Sequence, residues 1–194
     1  MRYDEDKPQN PMLIKESGWT VEEYQELPED GHQYEIVDGK LELLSSPTTT
    51  HQLISNKIER LIVDSCDLEY IMMHAPVDVI LSYNETRQPD ILMIHRSRMA
   101  IIEEKGIVGP PDLVVEIISP SSVKRDRIMK TESYARFGVP EYWIADPANL
   151  SIEQYVLVNQ GDPYKLVNVY GSKDVVKSEK IKCLSFVVKD GLTI

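Results

Sequence analysis

The chain has 194 residues, 42% hydrophobic and 27% charged. That is enough for one ordinary domain with a real core, and it excludes a disordered chain and a membrane protein, since no apolar run approaches the roughly 18 residues of a spanning helix. A formal net charge of −11 argues against a simple DNA-binding module, because such modules neutralise phosphates with Lys and Arg. It leaves room for an enzyme that meets DNA through one local basic patch.

The opening "MRYDEDKPQNPM" has no apolar leader core, so a cytoplasmic location is the expectation. Residues 1–18 are polar and read as a flexible segment ahead of a single domain over 19–194. "TVEEYQEL" starts with a capping box, Thr20 with Glu23, and predicts a short helix. "HQYEIVDGKLELLS" alternates and turns at Asp38-Gly39, a hairpin signal. "HQLISNKIERLIVDSC" sets Leu53, Ile54, Ile58, Leu61 and Ile62 on one helical face. "EYIMMHAPVDVILS" predicts one or two strands, "PDILMIH" another, and "PPDLVVEIIS" the most apolar strand of all. "SVKRDRIMKTESYARFG" reads as an amphipathic helix with Ile128, Tyr134 and Phe137 as its apolar spacing, stopped by Gly138 and Pro140. Ser121 or Ser122 is the expected cap. "EYWIAD" is a further strand holding Trp143, expected in the core, and from Leu150 onward the pattern is β. The order suits one α/β (α+β) domain with a mixed sheet. Cys66 and Cys183 match no metal-ligand spacing and read as small buried hydrophobes.

One residue breaks the strand pattern. Side chains alternate along "PPDLVVEIIS", so Asp112, Val114, Glu116 and Ile118 face one way, and Leu113, Val115 and Ile117 the other. Glu116 is mid-strand. An unpaired carboxylate there costs several kcal/mol, so it must be protonated, paired or bound to a metal. A buried salt bridge is the plain reading. Asp90, at the head of "PDILMIH", supplies a second acid on another strand, and two such carboxylates can share one divalent cation. Mg²⁺ prefers oxygen ligands and can activate water beside a phosphoryl group. No G-x-G-x-x-G, P-loop or zinc motif is present, and the serines of "SPSS" have no matching histidine arrangement.

"RQPDILMI" followed by "PPDLVVEIISPSS" resembles the PD-(D/E)XK nuclease superfamily. With "YEIVDGKLELLSSPTTTHQ" and "DRIMKTESYARFGVPEYWIADP", the chain from about Thr20 to Tyr155 resembles the Uma2 group of restriction-endonuclease-like proteins. The resemblance implies a mixed β-sheet flanked by helices, with an N-terminal hairpin and a β-rich C-terminal tail. It also implies Mg²⁺-dependent (or Mn²⁺-dependent) hydrolysis of DNA phosphodiester bonds, often by a homodimer on duplex DNA. Asp90 and Glu116 take the two metal-ligand roles. The chain departs from the superfamily pattern at Ile118, where the lysine should stand.

Lys130, in the helix after the strand, is the candidate replacement; Asp126, Lys130 and Tyr134 follow at four-residue spacing and share a stripe. An ordinary surface Asp–Lys pair is the plain alternative. Lys124 and Arg125 are candidates for phosphate contacts. Glu35 is the candidate third acid of the metal shell, with Glu42 its weaker rival and a cross-strand charge the alternative. His51 reads more readily as a helix-end contact than as a base, and Asp112 as a strand start. Ile118 and the acidic balance support a second function: a catalytically silent nuclease fold serving as a binding or regulatory module.

Overall fold

The computed structural model describes residues 15–120 and 122–194. Most of the segment expected to be flexible, and Ser121 as a cap, lie outside them. Helix α1 (Val21–Gln25) carries the reciprocal Thr20–Glu23 capping box. Strands β1 (Tyr34–Val37) and β2 (Lys40–Leu43) form the hairpin, with Asp38 and Gly39 both at positive φ, as its two-residue turn requires. Next come α2 (Thr49–Cys66), β3 (Tyr70–His74), β4 (Val79–Ser82), β5 (Glu85–Arg87), β6 (Ile91–His95), β7 (Ile102–Glu103), β8 (Gly106–Val108) and β9 (Leu113–Ile117). A π-helical turn (Arg125–Lys130) leads into α3 (Thr131–Phe137), followed by β10 (Glu141–Asp146), β11 (Ser151–Val156), β12 (Lys165–Tyr170), β13 (Val175–Lys177), β14 (Ser185–Val187) and α4 (Val188–Leu192).

The strands form two six-stranded mixed sheets and a two-stranded ribbon. One sheet runs β2-β1-β5-β4-β8-β7, the other β12-β11-β10-β9-β6-β3, and the ribbon is β13-β14. In the second sheet only β9 and β10 run parallel, joined across the π turn and α3 as a strand–helix–strand crossover. Its central strands, buried on both faces, read as continuous apolar runs for that reason.

Each face of this sheet has its own core. Leu113, Val115, Ile117 and Trp143 pack against Ile54, Ile58 and Ile62 of α2 and against the tail, through Phe186, Val188 and Leu192. Val114, Ile118, Tyr142 and Ile144 pack on the opposite face with Tyr134 of α3 and with Val79 and Ile107 of the first sheet. Glu116 belongs to this second face.

Four expectations change. Leu53 is half exposed, and Cys66 takes the end of the buried stripe of α2. Ile128 is half exposed rather than part of the apolar spacing expected of it, while Asp126 and Lys130 are buried in its helix, which sets aside the plain surface-pair alternative. The cysteines are not isolated hydrophobes; Cys66 and Cys183 form a disulfide. Their 117-residue separation hides a contact that exists because β14 and α4 dock on α2. The end of the tail is helical, not β.

Candidate active site

A cavity of about 360 Å³ opens where the first turn of α2, the start of β6, the end of β9 and the π turn meet. The antiparallel β6–β9 register sets Ile91 against Val115 and Leu92 against Val114. One step further along it, Asp90 stands beside Glu116 on the same face. Asp90 Oδ2 accepts the Ile117 backbone N–H at 2.7 Å and shares a hydrogen bond of 3.0 Å with His51 Nε2. Thr48 caps α2 by accepting from the His51 N–H, which fixes the histidine at the helix entrance.

Glu116 meets the crossover. Its Oε1 accepts from Lys130 Nζ at 2.7 Å and from the Tyr134 hydroxyl at 2.9 Å. Lys130 also stands 3.6 Å from Glu35 Oε1. The plain salt bridge therefore exists, built from the residues expected to do chemistry. Neither Asp90 Oδ1 nor Glu116 Oε2 has a hydrogen-bond partner among the described residues.

Glu35 lies on the far side of Lys130. Its Oε1 accepts the Gln88 N–H at 2.8 Å and its Oε2 is 3.4 Å from Arg87 Nη1. Arg87 is itself buried and pairs with Glu85, which also accepts from Ser133 of α3 at 2.6 Å. This network ties the hairpin, β5 and α3 together behind the lysine. Alternation in "NETRQPD" is its only trace in the sequence.

The charges respond to this setting. Burial pushes the Glu116 carboxyl up; Lys130 opposes the rise, Asp90 and Asp126 add to it, and the balance is about 8. Burial alone would lower the Lys130 ammonium, but Glu116 and Glu35 outweigh it and hold the group above its ordinary range. Glu35 is likewise pushed up by burial, yet Lys130 and Arg87 bring it below the usual carboxylate value. The hydrogen bond to Asp90 raises the His51 imidazole against the effect of its burial.

Asp90, Glu116 and Lys130 are thus together, and Glu35 reaches them through the lysine. Glu42 pairs opposite Glu35 on the hairpin and does not line the cavity. Asp112 is elsewhere, pairing with Arg98 at 2.8 Å. Arg125 lines the cavity, whereas Lys124 is exposed. Ile118 packs in the apolar core of the same face. His51 is a helix-end contact, as read from the sequence, but its partner Asp90 was not foreseen, and Asp126 and Gln88 had no site role in that reading.

Among the described residues, five buried side-chain polar atoms lack a hydrogen-bond partner: His51 Nδ1, Thr86 Oγ1, Gln88 Oε1, Arg125 Nε and Asp126 Oδ1. All but Thr86 belong to residues lining this cavity. Buried polar groups are rarely left unsatisfied, so this concentration marks a place where a ligand, an ion or water completes the bonding. No three His, Cys, Asp or Glu side chains among the described residues converge to hold a metal by themselves. The donors present, two carboxylates each with an open oxygen, instead fit a hard cation that keeps several of its waters.

The Uma2 family model, described as "Putative restriction endonuclease", matches residues 21–185, past Tyr155 and into the tail. A solved structure, titled as a "putative nuclease belonging to DUF820" from Anabaena variabilis ATCC 29413, is similar at a TM-score of 0.72 and 19% identity, over 90% of this chain and 97% of that one. No curated protein matches the chain. With a family match over most of its length and a nuclease-like fold around the cavity, the chain belongs to the Uma2 family.

Proposed function

We propose that this protein is a metal-dependent endonuclease that hydrolyses DNA phosphodiester bonds at the Asp90–Glu116 cavity. The observation that carries the reading is the pairing of two half-engaged carboxylates. Each has one oxygen fixed by the protein and one open, beside a buried lysine. Asp90 and Glu116 would hold Mg²⁺ (or Mn²⁺) through the open oxygens. The bound cation would polarise the scissile phosphate and ease loss of a proton from the attacking water.

The chain's own groups divide the remaining work. Lys130, held between Glu116 and Glu35, presents a fixed positive charge toward the phosphate oxygen on which negative charge builds. Glu35 keeps that lysine aimed, so we assign it to orienting the cation-bearing side chain. Arg125, which lines the cavity and makes no hydrogen bond through its Nε among the described residues, is placed for a substrate phosphate. His51 holds Asp90 in its orientation. Cutting both strands of a duplex would use two such centres, so the proposal includes a homodimer. It also includes a cytoplasmic location, where Cys66 and Cys183 would be thiols in the core, because that compartment reduces such bonds.

The second reading is a silent fold that binds without cutting, favoured by the net charge of −11. The support it drew from Ile118 is weakened by Lys130, whose Nζ lies 2.7 Å from Glu116. The deciding experiment incubates plasmid and oligonucleotide DNA with wild type, Asp90→Ala and Lys130→Ala, with and without Mg²⁺. Mg²⁺-dependent cleavage lost in both variants is expected. Binding of DNA without cleavage by the wild type would favour the silent fold, and cleavage undiminished in Lys130→Ala would remove the lysine from the mechanism.

A further inference from the structure

Asp126 has no place in the scheme above, yet it is buried in the wall of the same cavity, with 2% of its surface exposed. Its Oδ1 accepts no hydrogen bond among the described residues. The neighbouring Arg125 Nε forms an ion pair with it at 3.5 Å, but neither atom makes a hydrogen bond among the described residues. The backbone around Asp126 is firmly held. Its carbonyl accepts from Tyr142 and Thr131, both at 2.9 Å, within the π turn that also delivers Lys130 to Glu116. Helical irregularities of this kind recur at functional sites. A fixed, buried carboxylate oxygen with nothing to accept is unfavourable unless a donor arrives from the cavity.

A second acceptor has the same need. Gln88 lines the cavity, and its Nε2 donates to Asp78 Oδ1 at 2.8 Å, which fixes the amide orientation and leaves Oε1 as the buried, unpartnered atom. Two fixed acceptors beside the Asp90–Glu116 pair ask for O–H or N–H donors. Among the described residues the acids do not close into a three-ligand cage, so the proposal keeps Asp126 outside the direct ligands. A hydrated divalent cation meets these requirements together. Asp90 and Glu116 would hold it through their open oxygens, and Asp126 and Gln88 would accept hydrogen bonds from its remaining waters.

We propose that Asp126 is an outer-sphere positioning residue, whose carboxylate holds the water shell of a divalent cation bound by Asp90 and Glu116, with Gln88 Oε1 as its companion. The inference rests on the metal reading of the cavity and adds a residue to it. It separates Asp126 from the surface Asp–Lys pair expected of its sequence spacing, because Lys130 is committed to Glu116 and Glu35.

The test is calorimetric titration of Mn²⁺ into the full chain, without DNA, for wild type, Asp126→Asn, Asp126→Ala and Asp90→Ala. The expected result is one site in wild type, lost in Asp90→Ala, and retained in both Asp126 variants with affinity lowered about 10- to 100-fold, the usual scale for outer-shell partners. Thermal unfolding without metal supplies the control. Relieving an unpartnered buried oxygen leaves the melting temperature of Asp126→Asn unchanged or raised, whereas a structural ion pair with Arg125 would lower it. Unchanged Mn²⁺ affinity in both variants would overturn the role of Asp126 while leaving the Asp90–Glu116 pair standing. Complete loss of the site in Asp126→Asn would also overturn it, by making Asp126 a direct ligand. Absence of binding to the wild type would remove the metal reading itself.

Discussion

Two buried glutamates lie on adjacent strands of the same sheet, and they face opposite ways. Glu141 of β10 looks toward the α2 and tail side, where Trp143 Nε1 and Gln154 Nε2 both donate to its Oε1 at 2.7 Å and Ser178 donates to its Oε2 at 2.7 Å. Three neutral donors occupy both oxygens, so its bonding is closed. Glu116 of β9 looks the other way; a lysine and a tyrosine share one oxygen, and the other is open to a cavity lined by unsatisfied polar groups. Burial of a carboxylate is common to both. What separates a structural acid from a working one is whether the protein completes its hydrogen bonding.

The sharpest way to break this comparison is to neutralise each acid in turn. Glu116→Gln should lower DNA cleavage by at least about 100-fold, since several kcal/mol of charge stabilisation go with it. Glu141→Gln should leave the cleavage rate within a few-fold of wild type. Equal losses in a plasmid-nicking assay would erase the distinction. Lys130→Met tests the pairing from the other side. It leaves Glu116 and Glu35 buried without their cation, and denaturant unfolding should show a loss of about 3–5 kcal/mol.

The opposite face should respond only in stability. In the oxidised protein, replacing Cys183 by Ser opens the Cys66–Cys183 crosslink, which should cost about 2–4 kcal/mol with Mg²⁺-dependent cleavage retained at a temperature where the variant is folded. Glu141→Gln, which disturbs a neutral network, should cost about 1–3 kcal/mol in the same unfolding measurement.

Stability should also depend on pH. The folded-state value of Glu116 is raised to about 8, above its ordinary 4.5. The folded state therefore binds that proton more tightly than the unfolded one. The associated stability is complete below about 4.5 and is lost as pH rises through about 8. Metal-free wild type should lose stability across that window, and Glu116→Gln should flatten the decline while Glu141→Gln leaves it in place. Identical pH profiles for wild type and Glu116→Gln would contradict the assignment.

Much of this was legible in the sequence, for particular reasons. Asp38-Gly39 fixed the hairpin because few dipeptides tolerate two successive positive φ values. The "LVVEI" and "EYWIAD" runs announced central strands because both faces are covered. Asp90, Glu116 and Lys130, singled out by motif and spacing, line one cavity. What stayed hidden depends on contacts between distant segments. The short strands β5, β7 and β8 take their shape from neighbours in the first sheet, not from local periodicity. Ile128 loses its expected inward place because a buried ion pair outweighs hydropathy at that helix. The Arg87 network, which reaches Glu35 and Ser133, and the cysteine pair join residues that no sequence window spans. Glu116 and Glu141 are alike as letters in an apolar strand; only the completed bonding tells them apart.

The central claim is that Glu116 is left open to hold a cation and Glu141 is not. It is tested most directly by calorimetric titration of Mn²⁺ into wild type, Glu116→Gln and Glu141→Gln. One site in wild type and Glu141→Gln, absent from Glu116→Gln, is the predicted result. Binding that persists unchanged in Glu116→Gln, or that never occurs in the wild type, would contradict the account.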